Sequence, residues 1–213
     1  MINHLPMSLL SKMGNYEIKI HGEKVKVSLI DDTAIVVAKI DELKSLSQTQ
    51  QNPIVGLDIK FIKFGKHSYI GKILVLCVGT RCLIIQYQRL LSFTDTMAQF
   101  LSDETICFLG TGMSKIVKEL YRHKYFLSDT GEVPVNCKTG VEIGYLAAKV
   151  LKKADTEKSN LVSLAKEVGM DIEEPFCRCP DWSAIVFSDE EIKYAVYNAY
   201  TSYVIGNKLL GML

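Results

Sequence analysis

The sequence has no long apolar run: Ile73 to Val78 and Leu83 to Ile85, its longest, fall far short of the roughly 20 residues of a membrane span. Met1 to Leu10 lacks a basic start and a small-residue cleavage site, so no secretory leader is expected. Charge imbalance is missing too, since 25 basic and 24 acidic residues leave a formal net charge of +1. No global field draws the chain to a polyanion, and any nucleic-acid contact must come from a local basic surface. There is no internal repeat, heptad run or low-complexity tract, which excludes solenoids and coiled coils. What is there, 213 residues with 48% apolar and 23% charged, suits a single domain, 1–213, with a substantial core.

Metal and nucleophile motifs are also scarce. Cys177-Arg178-Cys179 has one residue between its thiols rather than two, and no second pair or nearby histidine completes four ligands. Cys77, Cys82 and Cys107 lie in or beside apolar β-like runs and read as buried thiols of a soluble, intracellular protein. His4, His21, His67 and His123 form no local motif, and His123 near a helix end is explained by the helix dipole. The single tryptophan, Trp182, reads as a packing anchor rather than a base-stacking platform.

Periodicity orders the elements. Tyr16 to Ile20 and Val25 to Leu29 alternate apolar and polar residues around a His21-Gly22-Glu23-Lys24 turn, which predicts a β-hairpin. Asp31-Asp32 makes a further turn into Ala34 to Ala38, and Lys39 to Ser47 reads as a short helix. Strands follow at Ile54 to Phe61, Lys72 to Val78 and Arg81 to Tyr87, the last two joined tightly at Gly79-Thr80. A helix carrying Met97, Phe100 and Leu101 precedes a strand at Thr105 to Leu109. The helix from Met113 to about Lys124 has an outer basic stripe, Lys115, Lys118 and Arg122, read as solvated surface. Thr139 with Glu142 fits a capping box for a helix through Leu151, Asn160 caps another, and Ser188 with Glu191 starts a long terminal helix. The segments expected to move most are the termini, Gly65 to Ser68 and Lys152 to Ser159.

Several of these segments carry a family likeness. Val55-Gly56-Leu57-Asp58-Ile59-Lys60-Phe61, Leu74 to Gly79 and Cys82 to Ile85 are followed in order by Phe108-Leu109-Gly110-Thr111-Gly112-Met113, Leu161 to Ala165 and Tyr194 to Tyr200. Together they resemble the Werner-exonuclease-like branch of the DnaQ, or DEDD, 3′-to-5′ exonucleases over roughly residues 54–206. With its amino-terminal hairpin the chain looks most like the plant RISC-interacting clearing exoribonucleases. The resemblance implies an α/β, ribonuclease H-like mixed sheet flanked by helices, acting on single-stranded RNA from its 3′ end. It also implies a ring-shaped homohexamer, with RNA-silencing proteins as partners; the short apolar runs imply no membrane, and the expected place is the cytoplasm or nucleus.

Members with the full pattern bind two divalent cations, Mg or Mn, through four acids, which activates water and neutralises the leaving oxygen. The first motif, Asp-x-Glu, sets both side chains on one strand face, and here it reads Asp58-Ile59-Lys60. The second motif's aspartate falls near Ile116 and the third's at Asn198. Asp58 and Lys60 sum to zero charge where the family has four negatives. One charge pair about 4 Å apart is worth roughly 4 kcal/mol at a dielectric of about 20, so metal at Asp58 is expected to be weak or absent. Tyr194 matches the third-motif tyrosine one helical turn before Asn198, so both can face one cleft. Asp58, Lys60, Tyr194 and Asn198 are the candidate catalytic residues, with Asp58 for metal and Lys60 and Tyr194 for nucleic acid. Structural roles compete with each: Lys60 can pair with Asp58, Tyr194 can be core, Asn198 a polar helix residue, and Glu142 a cap rather than a replacement ligand. Two functions stay open. One is an exoribonuclease whose missing ligands come from a neighbouring subunit, and the other a catalytically inactive RNA-binding or scaffolding module on the same fold.

Overall fold

Apolar residues at alternate positions, Ile18 and Ile20 against Val25 and Val27, zip β1 (Asn15–Ile20) to β2 (Glu23–Ile30) as an antiparallel hairpin in the computed structural model. The structure describes residues 14–64, 68–87, 90, 94–127, 131–176, 180–184 and 186–213. The readings of His4, His67, Cys177-Arg178-Cys179 and most of Gly65 to Ser68 lie outside these residues.

Asp32 Oδ1 then accepts from the Ala34 and Ile35 amides at 2.9 and 3.2 Å. This cap starts one helix, α1 (Thr33–Gln48), in place of the expected turn and shorter helix. Val36, Ile40 and Leu43 form its buried stripe.

The centre of the molecule is β3 (Ile54–Phe64), β4 (Ser68–Val78) and β5 (Arg81–Ile85), antiparallel to one another in sequence. The first two are longer than their apolar runs suggested, and the third stops short of Tyr87. Thr94 caps α2 (Asp95–Leu101), and β6 (Cys107–Gly110) lies parallel to β3. After α3 (Met113–Tyr121) the chain forms a separate two-stranded sheet, β7 (Lys124–Leu127) with β8 (Gly131–Pro134). The short β9 (Gly140–Glu142) joins the main sheet parallel to β6. The order across that sheet is β1-β2-β5-β4-β3-β6-β9, with β2 parallel to β5.

The carboxy-terminal part is helical, as expected: α4 (Ile143–Leu151), a 3-10 turn (Ala154–Lys158), α5 (Leu161–Glu167) and α6 (Asp189–Leu210). Asn160 caps α5 through the Ser163 amide, and Ser188 with Glu191 closes the capping box of α6. The core runs through both sheet faces and holds Phe100 and Phe108 edge to face at 5.7 Å. Cys77 and Cys82 are buried as expected. They are also directly opposed across β4 and β5 and joined as a disulfide, because the Gly79-Thr80 turn sets that register. Among the described residues no helix is long and apolar enough to cross a membrane.

Candidate active-site cleft

The helix α6 crosses β3 at Gly56, where a Cβ would collide with the Ala199 carbonyl, and crosses β6 where a Cβ at Gly206 would strike Leu109. Gly56, Asp58 and Lys60 share one face by the two-residue period of a strand, so the first motif points at α6. Further along that face Lys60 Nζ lies 5.4 Å from the centre of the Tyr194 ring. Asp58 therefore sits between the Gly56–Ala199 contact and the Lys60–Tyr194 contact. Its side chain is buried, and its Oδ2 lies 2.6 Å from Lys60 Nζ. The contact is an ion pair by distance, without the angles of a hydrogen bond. The Tyr194 ring stacks in turn on Trp182 at 6.1 Å, and Trp182 packs against Phe187 at 6.0 Å. Trp182 is thus a buried anchor that fixes Tyr194.

Asn198, one turn on from Tyr194, is half-buried and lines a groove of about 440 Å³ with Thr111, Asn160, Glu174 and Tyr197. The Tyr197 hydroxyl is buried beside this groove, and burial followed by the charge of Glu174 pushes it up to about 12. Ile116, at the second-motif position, is buried in the core. Glu142 also borders the groove, but both its oxygens are engaged. Oε1 accepts from Gly112 N–H at 3.0 Å and Oε2 from Met113 N–H at 2.9 Å. The Thr139–Glu142 capping box is therefore corrected: Glu142 caps α3 with its side chain, and makes no side-chain cap bond for α4. The reason lies in the parallel register Gly110↔Glu142, which brings the end of β9 beside the start of α3. His123 is packed as well as placed near the helix end: its ring sits edge-on to Tyr87 at 5.0 Å, and burial holds its pKa below the usual value.

No family model matches the chain. Over 183 residues, 82% of its length, it is 25% identical to human exonuclease 3′-5′ domain-containing protein 2, and over 166 residues 24% identical to the mouse protein. The chain spans about a quarter of the length of these relatives, 28% and 24% respectively. Among solved structures, Escherichia coli RNase D superposes with a TM-score of 0.63 at 16% identity, over 87% of this chain and 44% of that one. The EXD2 exonuclease domain superposes with a TM-score of 0.50 at 22% identity, over 88% and 91%. The chain has a DnaQ-like exonuclease fold. In this chain the β3–β4–β5 meander has β6 and β9 alongside, and the β1–β2 hairpin extends the sheet beyond β5.

The residues present do not fit the two-metal site of such a fold. Asp58 faces a cation, Ile116 and Asn198 carry no charge, and Glu142 already holds two amides. Among the described residues no three His, Cys, Asp or Glu side chains are grouped to hold a metal ion. Sequence reasoning missed the reach of Glu142 and the tyrosine hydroxyl at Tyr197. Neither has a local signal, since both depend on which elements lie side by side.

Proposed function

We propose that this chain is a 3′-to-5′ exoribonuclease acting on single-stranded RNA, with a cleft completed by a neighbouring copy in a homohexamer. The observation that carries this reading is the meeting of Asp58, Lys60 and Tyr194 between β3 and α6, with Asn198 one helical turn beyond Tyr194 on the wall of a groove of its own. It is supported by the fold of RNase D, an exoribonuclease involved in structured RNA processing, and by the sequence similarity to an exonuclease domain-containing protein. The chemistry follows from the ion pair. An incoming phosphate oxygen exchanges for Asp58 as the partner of Lys60, which places the scissile phosphate and frees a carboxylate oxygen. That oxygen takes a proton from the water as it bonds to phosphorus, the P–O3′ bond to the preceding nucleotide breaks, and the proton passes to the departing O3′, while Tyr194 and Asn198 hold the terminal nucleotide.

Crystals of the EXD2 exonuclease domain have been soaked in Mn and Mg. In this chain Mg or Mn is expected only weakly at Asp58, with any further ligands coming from the neighbouring subunit. The likeness to the plant RISC-interacting clearing exoribonucleases supports RNA-silencing proteins as partners and a place in the cytoplasm or nucleus. One observation favours a second reading, a catalytically inactive RNA-binding or scaffolding module: Lys60 stands where an acid belongs and neutralises Asp58 at 2.6 Å.

Incubating the purified chain with 5′-end-labelled single-stranded RNA, with and without a chelator, separates the two. A ladder of 3′-shortened products is the result expected of the enzyme. Bound but intact RNA at all metal concentrations overturns that reading in favour of the module.

A further inference from the structure

The basic stripe of α3, expected to be solvated surface, is built against a projecting arm of the sheet. Beyond the partners of β5 and β6, residues 60–64 and 68–73 pair only with each other, with a register slip between Lys60 and Phe61. Phe61 follows Ile59 by the strand period and so lies on the face opposite Asp58 and Lys60. Gly71 lies across from Phe61, and a Cβ there would meet Tyr87, Ile59 and Glu119, so only glycine lets α3 approach.

Glu119 fixes that approach. Its Oε1 accepts from Gly71 N–H at 3.0 Å and its Oε2 from Arg122 Nη1 at 2.9 Å, which engages both carboxylate oxygens and ties Arg122 to them. One turn earlier Lys115 Nζ lies 3.9 Å from the Phe61 ring centre and 4.4 Å from that of Tyr69. Lys118 has no acidic partner among the described residues. Lys115 and Lys118 are exposed, and half of Tyr69 is. These groups border a groove of about 350 Å³.

We propose that this groove is a second contact for single-stranded RNA, holding the strand away from the end that enters the Asp58 cleft. The proposal rests on the exoribonuclease reading for its choice of ligand and deepens it. Two ammonium groups, Lys115 and Lys118, without carboxylate partners among the described residues supply phosphate contacts. Lys115 occupies one side of the Tyr69 ring, and the exposed half of that side chain is what an unpaired base can stack against, a surface a duplex keeps from its stacked bases. The groove and the cleft share β3, on opposite faces and one residue apart at Lys60 and Phe61, so one strand rounding the arm meets both.

The test is fluorescence anisotropy of the full chain with fluorescein-labelled oligouridine of about 12 nucleotides, in chelator so that nothing is cut. Lys115→Met keeps the packing on Phe61 and loses the charge, and Lys118→Ala changes an exposed side chain. Together they should weaken binding at least about tenfold at low salt and make the logarithmic salt slope shallower by about 1.4, at roughly 0.7 per phosphate contact. Tyr69→Ala should weaken binding about fivefold or more, and Lys208→Ala, at the far end of α6, should leave it unchanged. Wild-type affinity and slope in the lysine variants would overturn the proposal, as would equal competition by polyglutamate or by duplex RNA. Its failure is distinct from that of the exoribonuclease reading. RNA that stays intact with metal yet is released by the lysine variants removes the enzyme and keeps the groove. RNA cut by wild type and bound normally by the variants does the reverse.

Discussion

At the scale of residues, removing the Asp58 carboxylate has two effects of different kinds. If the cleft is catalytic, Asp58→Asn should reduce RNA turnover at least about a hundredfold, the scale of losing one acid-base or charge-stabilising group. It also strands a largely buried ammonium, since the Lys60 side chain is only 11% exposed, so thermal stability should fall as well. The double variant Asp58→Asn, Lys60→Met separates them, because it should recover melting temperature without recovering turnover. Wild-type turnover by Asp58→Asn in an intact oligomer would move the chemistry elsewhere. Lys60→Glu rebuilds the family's first motif and should strengthen Mn binding, measured by calorimetry, because it changes the local charge by two units.

His21 makes a different prediction. It occupies the hairpin turn in a left-handed conformation, with Nε2 2.8 Å from Thr201 Oγ1 and its ring stacked on Tyr200 at 5.9 Å. Burial and then the charge of Lys193 lower its pKa to about 4. The fold therefore favours the neutral ring. Its contribution is fully present above the unfolded value of about 6.5 and is lost as pH falls from there to about 4. Asparagine tolerates the left-handed backbone but does not titrate. His21→Asn should lose less melting temperature than wild type between about pH 7 and about pH 4.5, and equal losses would mean that other groups set the acid limit.

At the scale of elements, the α6–β3 crossing is the contact that assembles the candidate site. Gly56→Ala puts a methyl group against the Ala199 carbonyl, backbone on backbone, and should cost about 1–3 kcal/mol, seen as a lower urea midpoint at unchanged slope. Elements with a strong local code were readable beforehand. The alternating hairpin, the Asn160 cap and the Ser188–Glu191 box depend on neighbours in sequence and stand where expected. β7, β8 and β9, of three or four residues each, have no room for a periodic signal and exist only through pairing. Thr139 and Glu142 have the spacing of a capping box, and the strand register nevertheless sends the carboxylate to another helix. Glu142→Ala should then loosen the start of α3 and cost about 2 kcal/mol, the usual scale for amides bonded to a charged group, with the same urea titration as readout. At the candidate site, the motif spacing marked Asp58, Lys60, Tyr194 and Asn198, but not that Lys60 would close on Asp58 or that Trp182 would brace Tyr194.

At the scale of the whole molecule, the single chain is short of acids at the family's motif positions, so the explanation by a site shared between subunits stands or falls with assembly. Exposed apolar side chains offer a surface for it. Phe176 is fully exposed two residues beyond Glu174, which lines the Asn198 groove, and Val186 is largely exposed. A fully exposed phenylalanine beside a groove is an anchor of the kind that fills a partner's pocket. Sedimentation velocity at micromolar concentration should therefore show a particle near six times the 23.9 kDa chain, and Phe176→Ser should shift it toward the monomer. Specific activity should fall with the same concentration dependence on dilution, because a site completed across an interface disappears when the interface opens. A wild-type monomer that still trims RNA at full rate would show that one chain supplies every group the reaction needs. In that case the search for the missing ligands returns to the Asn198 groove, with Glu157 and Glu174 on its wall.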